Sequence, residues 1–368
     1  EQLKKTLFES SYAFDSVSFL KNHLYLLEPH LVRFYRDNTW EIIPEEWQVY
    51  FDSCDENTVT EKLDSIADDL PESLVEFCKG CKYYKVNRSI VERTKQNSVG
   101  IPKALKQMKG MKMKKQHEIS LMAGEINNLC NSLDIDTVID VGAGSAYLSH
   151  LLYLQCSIKS IGIEGNPSHS ESAIQRVKQL EQRIKVHNSK ESNIKIPLPN
   201  IDLVTCRFDY QHENIQENFE ECISPHINDG NKVVMIGLHC CGDLTPSMLR
   251  IFSQSNLVKG LIGVGCCYNH ITYKQEDELR LGFPMSKLYK KICEETNFKL
   301  SQLVLEVSIS CYGRWMNRDK STIELNQKSL AYRAILEEYL EPKITENHSI
   351  VIRGQSLPSS SYSSFQQY

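Results

Sequence analysis

No apolar run in this chain is long enough to span a membrane and no secretory signal is visible, so no membrane partner is expected. The first residue is Glu1, not Met, which leaves targeting open. Net positive charge is lacking as well. At −5 the chain as a whole is no polyanion binder, so any nucleic-acid contact must come from a local basic patch. A disulfide framework is also missing. The 13 cysteines are odd in number and include two adjacent pairs, which points to a reducing compartment, cytoplasmic or nuclear. Cys78-Lys-Gly-Cys81 stands without a second C-x-x-C or a histidine cluster. These thiols are read as buried or idle, and no metal is expected.

What is present is organised around Thr137-Val-Ile-Asp-Val-Gly-Ala-Gly-Ser-Ala-Tyr-Leu148. Val138, Ile139 and Val141 predict a short buried strand, and Tyr147, Leu148, Leu151 and Leu152 predict a helix. Gly142 and Gly144 between them remove the Cβ atoms that would keep a ligand from the backbone. A dinucleotide turn needs a third glycine three places on, where this chain has Tyr147. Asp140, two residues before Gly142, instead suits a ligand with a cationic end and no phosphate, such as S-adenosylmethionine. Twenty residues past Gly144, Ile161-Gly-Ile-Glu164 ends a second apolar stretch in a carboxylate, where ribose hydroxyls are held in open α/β sheets.

Before this core, residues 1–100 read as a helical region, with apolar spacing over Phe14–Leu27 and Val59–Tyr84 and helix starts at Pro44 and Pro71. Trp40, Trp47, Tyr50 and Phe51 are core candidates. Residues 101–116 form a basic linker in which Lys103, Lys106, Lys109, Lys112, Lys114 and Lys115 follow one another without an acidic residue. Such a run is either a solvated linker or, beside a nucleotide pocket, an arm that holds RNA by its phosphates. His117 and Glu118 then open a helix bearing Ile119, Met122, Ile126 and Leu129 on one face. They are placed to reach the methionine end of the cofactor or the substrate.

After the glycine turn, α/β alternation continues. A helix is expected over Ser170–Ile184 with Ala173, Ile174, Val177 and Leu180 inward. The third strand is either 201–209, with Asp209 near an adenine amino group, or 184–186, with 201–207 as the fourth. Lys232–Leu238 and Leu257–Val264 are clear strands whose ends carry His239-Cys-Cys-Gly-Asp243 and Gly265-Cys-Cys-Tyr268, with a helix start at Thr245-Pro246. Vicinal cysteines on extended chain point opposite ways, so the pairs are read as a compact wall around the transferring methyl. Strands over 297–307 and 348–353, with a helix over 327–340 between them, complete seven. Residues 356–368, rich in serine, are expected to be disordered.

Lys114-Lys-Gln-His-Glu, Asp140-Val-Gly-Ala-Gly-Ser-Ala-Tyr-Leu-Ser, Gly237-Leu-His-Cys-Cys-Gly-Asp-Leu, Val264-Gly-Cys-Cys-Tyr and Gly282-Phe-Pro-Met-Ser together resemble the methyltransferase-like protein 25 family, also labelled ribosomal RNA adenine dimethylase domain-containing. The resemblance spans roughly 112–355. It implies a class I S-adenosylmethionine-dependent methyltransferase fold, a seven-stranded, mostly parallel doubly wound sheet over residues 117–355, here with a helical N-terminal extension. Enzymes that methylate an exocyclic adenine nitrogen carry an Asn/Asp-Pro-Pro-aromatic turn at the fourth strand end, and His239-Cys-Cys-Gly-Asp243 has no prolines. H-x-C-G followed by a Cys-Cys pair is instead similar to a eukaryotic tRNA ribose 2′-O-methyltransferase family.

The expectation is therefore a methyltransferase acting on RNA, at a ribose 2′ oxygen more than adenine N6. A protein methyltransferase and a non-catalytic binding module are the rivals. His239 and Asp243 are the candidate bases by location. Asp140, Gly142, Gly144, Tyr147, Leu148, Glu164, Asp209, His117 and His239 are the expected cofactor contacts. Lys112, Lys114, Lys115, Cys266, Cys267 and Tyr268 are the expected substrate contacts.

Overall fold

The computed structural model describes residues 10–29, 33–55, 58–85, 97–190, 198, 201–208, 210–228, 230–274, 279–309, 320–340, 359–362 and 364–366. In chain order the elements begin with α1 (Ser10–Asn22), α2 (Glu45–Ser53), α3 (Val59–Ser65), α4 (Glu72–Tyr84), α5 (Lys103–Lys106) and α6 (Met113–Leu133). Then come β1 (Thr137–Val141), α7 (Tyr147–Cys156), β2 (Lys159–Glu164), α8 (Pro167–Lys190), β3 (Ile201–Thr205) and α9 (Ile215–Ile223). They are followed by β4 (Val233–Leu238), α10 (Leu244–Gln254), β5 (Val258–Val264), β6 (Tyr273–Lys274) and β7 (Leu279–Arg280). Helices α11 (Lys287–Thr296), α12 (Gln302–Ile309) and α13 (Lys320–Leu340) close the series. No described helix is long and apolar enough to cross a membrane.

Packing divides the chain into two units, Arg88–Met285 and Glu1–Asn87 with Ser286–Tyr368. The first is α/β. Its five strands run in the order β3-β2-β1-β4-β5, all parallel. That order reverses direction between β1 and β4, the place where open sheets leave a crevice beyond their carboxyl ends. Successive strand residues point to opposite faces, and the core obeys this. Val138, Val234 and Ile236 lie with Ile119, Ile126, Leu151 and Leu180 on one face. Ile139, Val141, Met235, Phe219, Met248 and Ile251 fill the other.

The helix over 170–184 is present within α8, which settles the third strand as 201–205 and rules out 184–186. Ile174 is exposed, not inward. Ala173, Leu180 and Ile184 share one stripe of α8, and a one-residue step along a helix turns a side chain about 100° away from it. The segment before α6 is packed, not loose. Leu105, Met108 and Met111 are buried against Tyr147 and Leu148, while Lys103, Lys106, Lys109 and Lys112 face solvent. Burial of three such side chains is worth roughly 5–9 kcal/mol. Tyr147 donates its hydroxyl to the Lys109 carbonyl, and Arg183 Nη1 donates to the Gln107 carbonyl at 2.9 Å.

The other unit is helical throughout its described part. Trp47, Tyr50, Leu70, Leu74 and Cys78 form one cluster, and Ala13, Val17, Ile292 and Phe298 another. Trp40 and Phe51 are only half-buried. Pro44 and Pro71 do precede helices, and over 59–84 the chain forms two helices, the first ending at Ile66 (φ 58°) and the second starting after Pro71. The strand expected over 297–307 is a correction: residues 302–309 are helix α12, with Val304 and Leu305 buried. A short apolar run fits a buried strand or a buried helix equally well by periodicity. The strand expected over 348–353 lies outside the described residues. Five parallel strands, not seven, are therefore present among the described residues. In the tail, Ser359–Tyr362 forms a 3-10 turn and the Phe365 ring meets Tyr332 at 5.5 Å.

Candidate active site at the carboxyl ends of the parallel strands

β1 delivers Asp140 and the glycine loop to the switch point. Gly142 (φ 73°) and Gly144 (φ 53°) take left-handed backbone that side chains resist. Gly142 and Ala143 both donate to the Ile163 carbonyl, at 2.8 and 3.1 Å, so the loop is pinned to β2. A Cβ at Gly144 would meet nothing closer than the Gly142 carbonyl at 3.8 Å, so the loop faces open space there.

Glu164 ends β2 beside this loop. Its Oε2 accepts from the Gly144 N–H at 3.1 Å and its Oε1 from the Asn166 N–H at 3.0 Å. Each carboxylate oxygen has a second lone pair free for a hydroxyl donor. Asp140 is buried and accepts from Ser149 Oγ at 2.7 Å. Burial pushes its carboxyl up to about 6; the nearby Glu164 adds to this, while Ser149 and Lys115 oppose it. Ser145 accepts from Arg176 Nη1 at 2.5 Å, which ties the loop to α8.

β4 delivers His239, whose backbone lies in the left-handed region at φ 67°. A non-glycine residue held there costs on the order of 1–3 kcal/mol, strain that concentrates at functional sites. The ring Nε2 pairs with Glu118 Oε2 at 3.1 Å, across 121 residues of sequence. Burial opposes ionisation of Glu118, but the hydrogen bond and charge of His239 and the Lys115 ammonium outweigh it and hold the carboxyl below its usual range. Lys114 and Lys115 lie 3.6 and 3.4 Å from the same carboxylate.

Asp243, expected as a second candidate base, is turned to another task. Its Oδ1 accepts from the Thr272 N–H at 2.9 Å and its Oδ2 from the Thr272 hydroxyl at 2.5 Å, fastening the 268–272 loop to the start of α10. Thr245, expected to cap α10, instead donates to the Cys240 carbonyl at 2.6 Å. His117 is exposed and outside the Glu118–His239 pair. Tyr147 and Leu148 send their side chains into the core. Asp209 lies outside the described residues.

The argument that adjacent cysteines cannot act together fails here. Cys266 and Cys267 bring their sulfurs within 3.4 Å, and Cys241 lies 3.2 Å from Cys266. β5 ends at Val264, and Cys267 (φ −124°, ψ 63°) leaves extended geometry to enter a 3-10 turn over Tyr268–His270. The alternation of strand side chains therefore stops before the pair. Beside it, Cys240, Pro246, Tyr268, Phe283 and Met285 help line an apolar hollow of about 250 Å³. A larger cleft of about 680 Å³ sits at the opposite, amino ends of the strands, away from this chemistry.

Sequence reasoning missed the Glu118–His239 pair, the Ser149–Asp140 bond and the Tyr147 anchor. None has a local signal, because each joins elements that only the fold brings together.

Residues 114–274 match a family described as a methyltransferase domain. The chain is similar to "Probable methyltransferase-like protein 25" of Homo sapiens, 32% identical over 170 residues, which are 44% of this chain and 24% of that protein. It is likewise similar to the Mus musculus protein of the same name, 31% identical over 170 residues with the same coverage. The matched segment thus spans about a quarter of the length of these relatives. The matched residues, which resemble a methyltransferase domain, contain the parallel sheet of the α/β unit.

Proposed function

We propose that the domain uses S-adenosylmethionine and methylates a hydroxyl of RNA, a ribose 2′ oxygen. The observation that carries the reading is the histidine at the end of β4, held in strained backbone and paired to a carboxylate. Bound S-adenosylmethionine would supply an electrophilic methyl group. Gly142, Gly144 and Glu164 would hold its nucleoside: the open loop admits it, and Glu164 has lone pairs for the sugar hydroxyls. Asp140, Glu164 and Glu118 give this crevice the negative charge that a sulfonium favours.

A hydroxyl acceptor, unlike an amine, must lose its proton as the new bond forms. With Glu118 ionised, His239 donates Nε2–H to it and keeps its lone pair on Nδ1. Nδ1 then accepts the hydroxyl proton, and the Glu118 carboxylate stabilises the resulting imidazolium. Most of the remaining catalysis is positioning. For RNA, the support is the row of lysines, exposed on a segment whose apolar side is buried in the same domain.

The test is methyl transfer from tritiated S-adenosylmethionine by the full chain into total RNA. The expected label is removed by RNase and resists alkali at the modified linkage, since a methylated 2′ oxygen cannot attack its phosphate. His239→Ala should abolish it and Glu118→Gln reduce it about 10-fold or more. Label that survives RNase and disappears with protease would overturn the RNA assignment in favour of a protein acceptor.

A further inference from the structure

Beyond methyl transfer, we propose that Cys241, Cys266 and Cys267 form a zinc site at the ends of β4 and β5, with three thiolate ligands and an open fourth position. The three sulfurs all lie within 4.8 Å of one another. They come from two loops 25 residues apart in sequence, and two contacts are 3.2 and 3.4 Å. Zinc–sulfur bonds of about 2.3 Å in a tetrahedron place ligand sulfurs about 3.8 Å apart. Opening these contacts by about half an ångström takes small side-chain rotations and leaves the backbone in place. Cys241 is exposed and the other two half-buried, so an ion has a path in and solvent can complete its coordination.

Burial, then hydrogen bonding with Cys266 and Cys267, pushes the Cys241 thiol up to about 12, a cost that the zinc–sulfur bond must outweigh. Each thiol that binds gives its proton to solvent as its zinc–sulfur bond forms. The Lys114 charge partly offsets the burial of Cys266. Such an ion would tie the loop after β4 to the loop after β5, the two loops that carry His239 and Tyr268.

The experiment loads the reduced, full-length chain with zinc, removes the excess and measures bound metal. One equivalent per chain is expected, retained in Cys78→Ser/Cys81→Ser and below a tenth in Cys241→Ser/Cys266→Ser. Cobalt(II) in place of zinc should give sulfur-to-metal charge-transfer absorption in the unaltered chain, a readout that needs no variant. Zinc at 100 times its dissociation constant should also raise the melting temperature of the metal-binding unit by about 5 °C. Less than a tenth of an equivalent in the unaltered chain would overturn the proposal. So would full retention in Cys241→Ser/Cys266→Ser, or a Cys241–Cys266 disulfide that forms in air whether or not zinc was supplied. None of these readouts depends on methyl transfer, so failure here leaves that reading intact.

Discussion

Two buried ionisable groups next to the glycine loop should respond to pH in opposite directions. His150, on α7, is fully buried, and neither ring nitrogen has a hydrogen-bond partner. Burial lowers its pKa from 6.5 to about 4. The unfolded chain therefore takes up the proton first as pH falls, and stability present above pH 6.5 is lost toward pH 4. Linkage over this shift gives a loss of about 2 kcal/mol between pH 7 and pH 5. Asp140 does the reverse. Its pKa rises from 3.8 to about 6, so its contribution is fully present below pH 3.8 and is lost as pH rises through 6. Over the same step from pH 7 to pH 5 it returns about 1.3 kcal/mol. The protein should thus lose only about 0.5 kcal/mol through this pair. His150→Leu should gain about 1.3 kcal/mol on acidification, and Asp140→Asn should lose about 2 kcal/mol. Hydrogen exchange of the 137–156 peptide, measured at both pH values and corrected for intrinsic rates, reads it directly. If both variants tracked the unaltered chain within about 0.3 kcal/mol, the account of these groups as buried without charged partners would be wrong.

Glu164→Ala removes a carboxylate with two backbone partners, and under the proposed function should weaken S-adenosylmethionine binding about 100-fold by calorimetry. Unchanged affinity would remove Glu164 from the cofactor site. Tyr147→Phe should cost about 1 kcal/mol and speed exchange over residues 103–111; protection unaltered there would mean the hydroxyl anchor is idle. Charge reversal at Lys103, Lys106 and Lys109 should reduce RNA affinity at low salt and flatten its salt dependence by up to about three in the log–log slope. A slope that did not move would remove these lysines from the proposed RNA contact.

The sequence made the centre of the site legible because its signals are local. Strand, glycine turn and helix follow one another over Thr137–Leu148, and Glu164 comes one crossover later, so the neighbouring strand tip was fixed by the alternation itself. Where the signal was only local, it misled. Leu303-Val-Leu reads as strand or helix alike, and tertiary packing made it helix. Ile174 is apolar yet sits one residue off the buried stripe. Asp243 occupies a position suited to a base, but Thr272, 29 residues later, takes both of its oxygens. The partnership of Glu118 with His239 needed the sheet to exist before it could be seen. The cysteine pair was misjudged because strand geometry was carried two residues beyond the strand.

The Tyr147 hydroxyl, holding the carbonyl of Lys109, joins two regions that were described apart. Tyr147 opens α7 just three residues after Gly144, while Lys109 sits among the outward lysines. Interiors packed as tightly as crystals pass displacements on instead of absorbing them. Under the proposed function, a strand of phosphates drawing on those lysines would pull on the helix that follows the glycine loop, so grip on the acceptor and the shape of the donor's berth would be mechanically one adjustment.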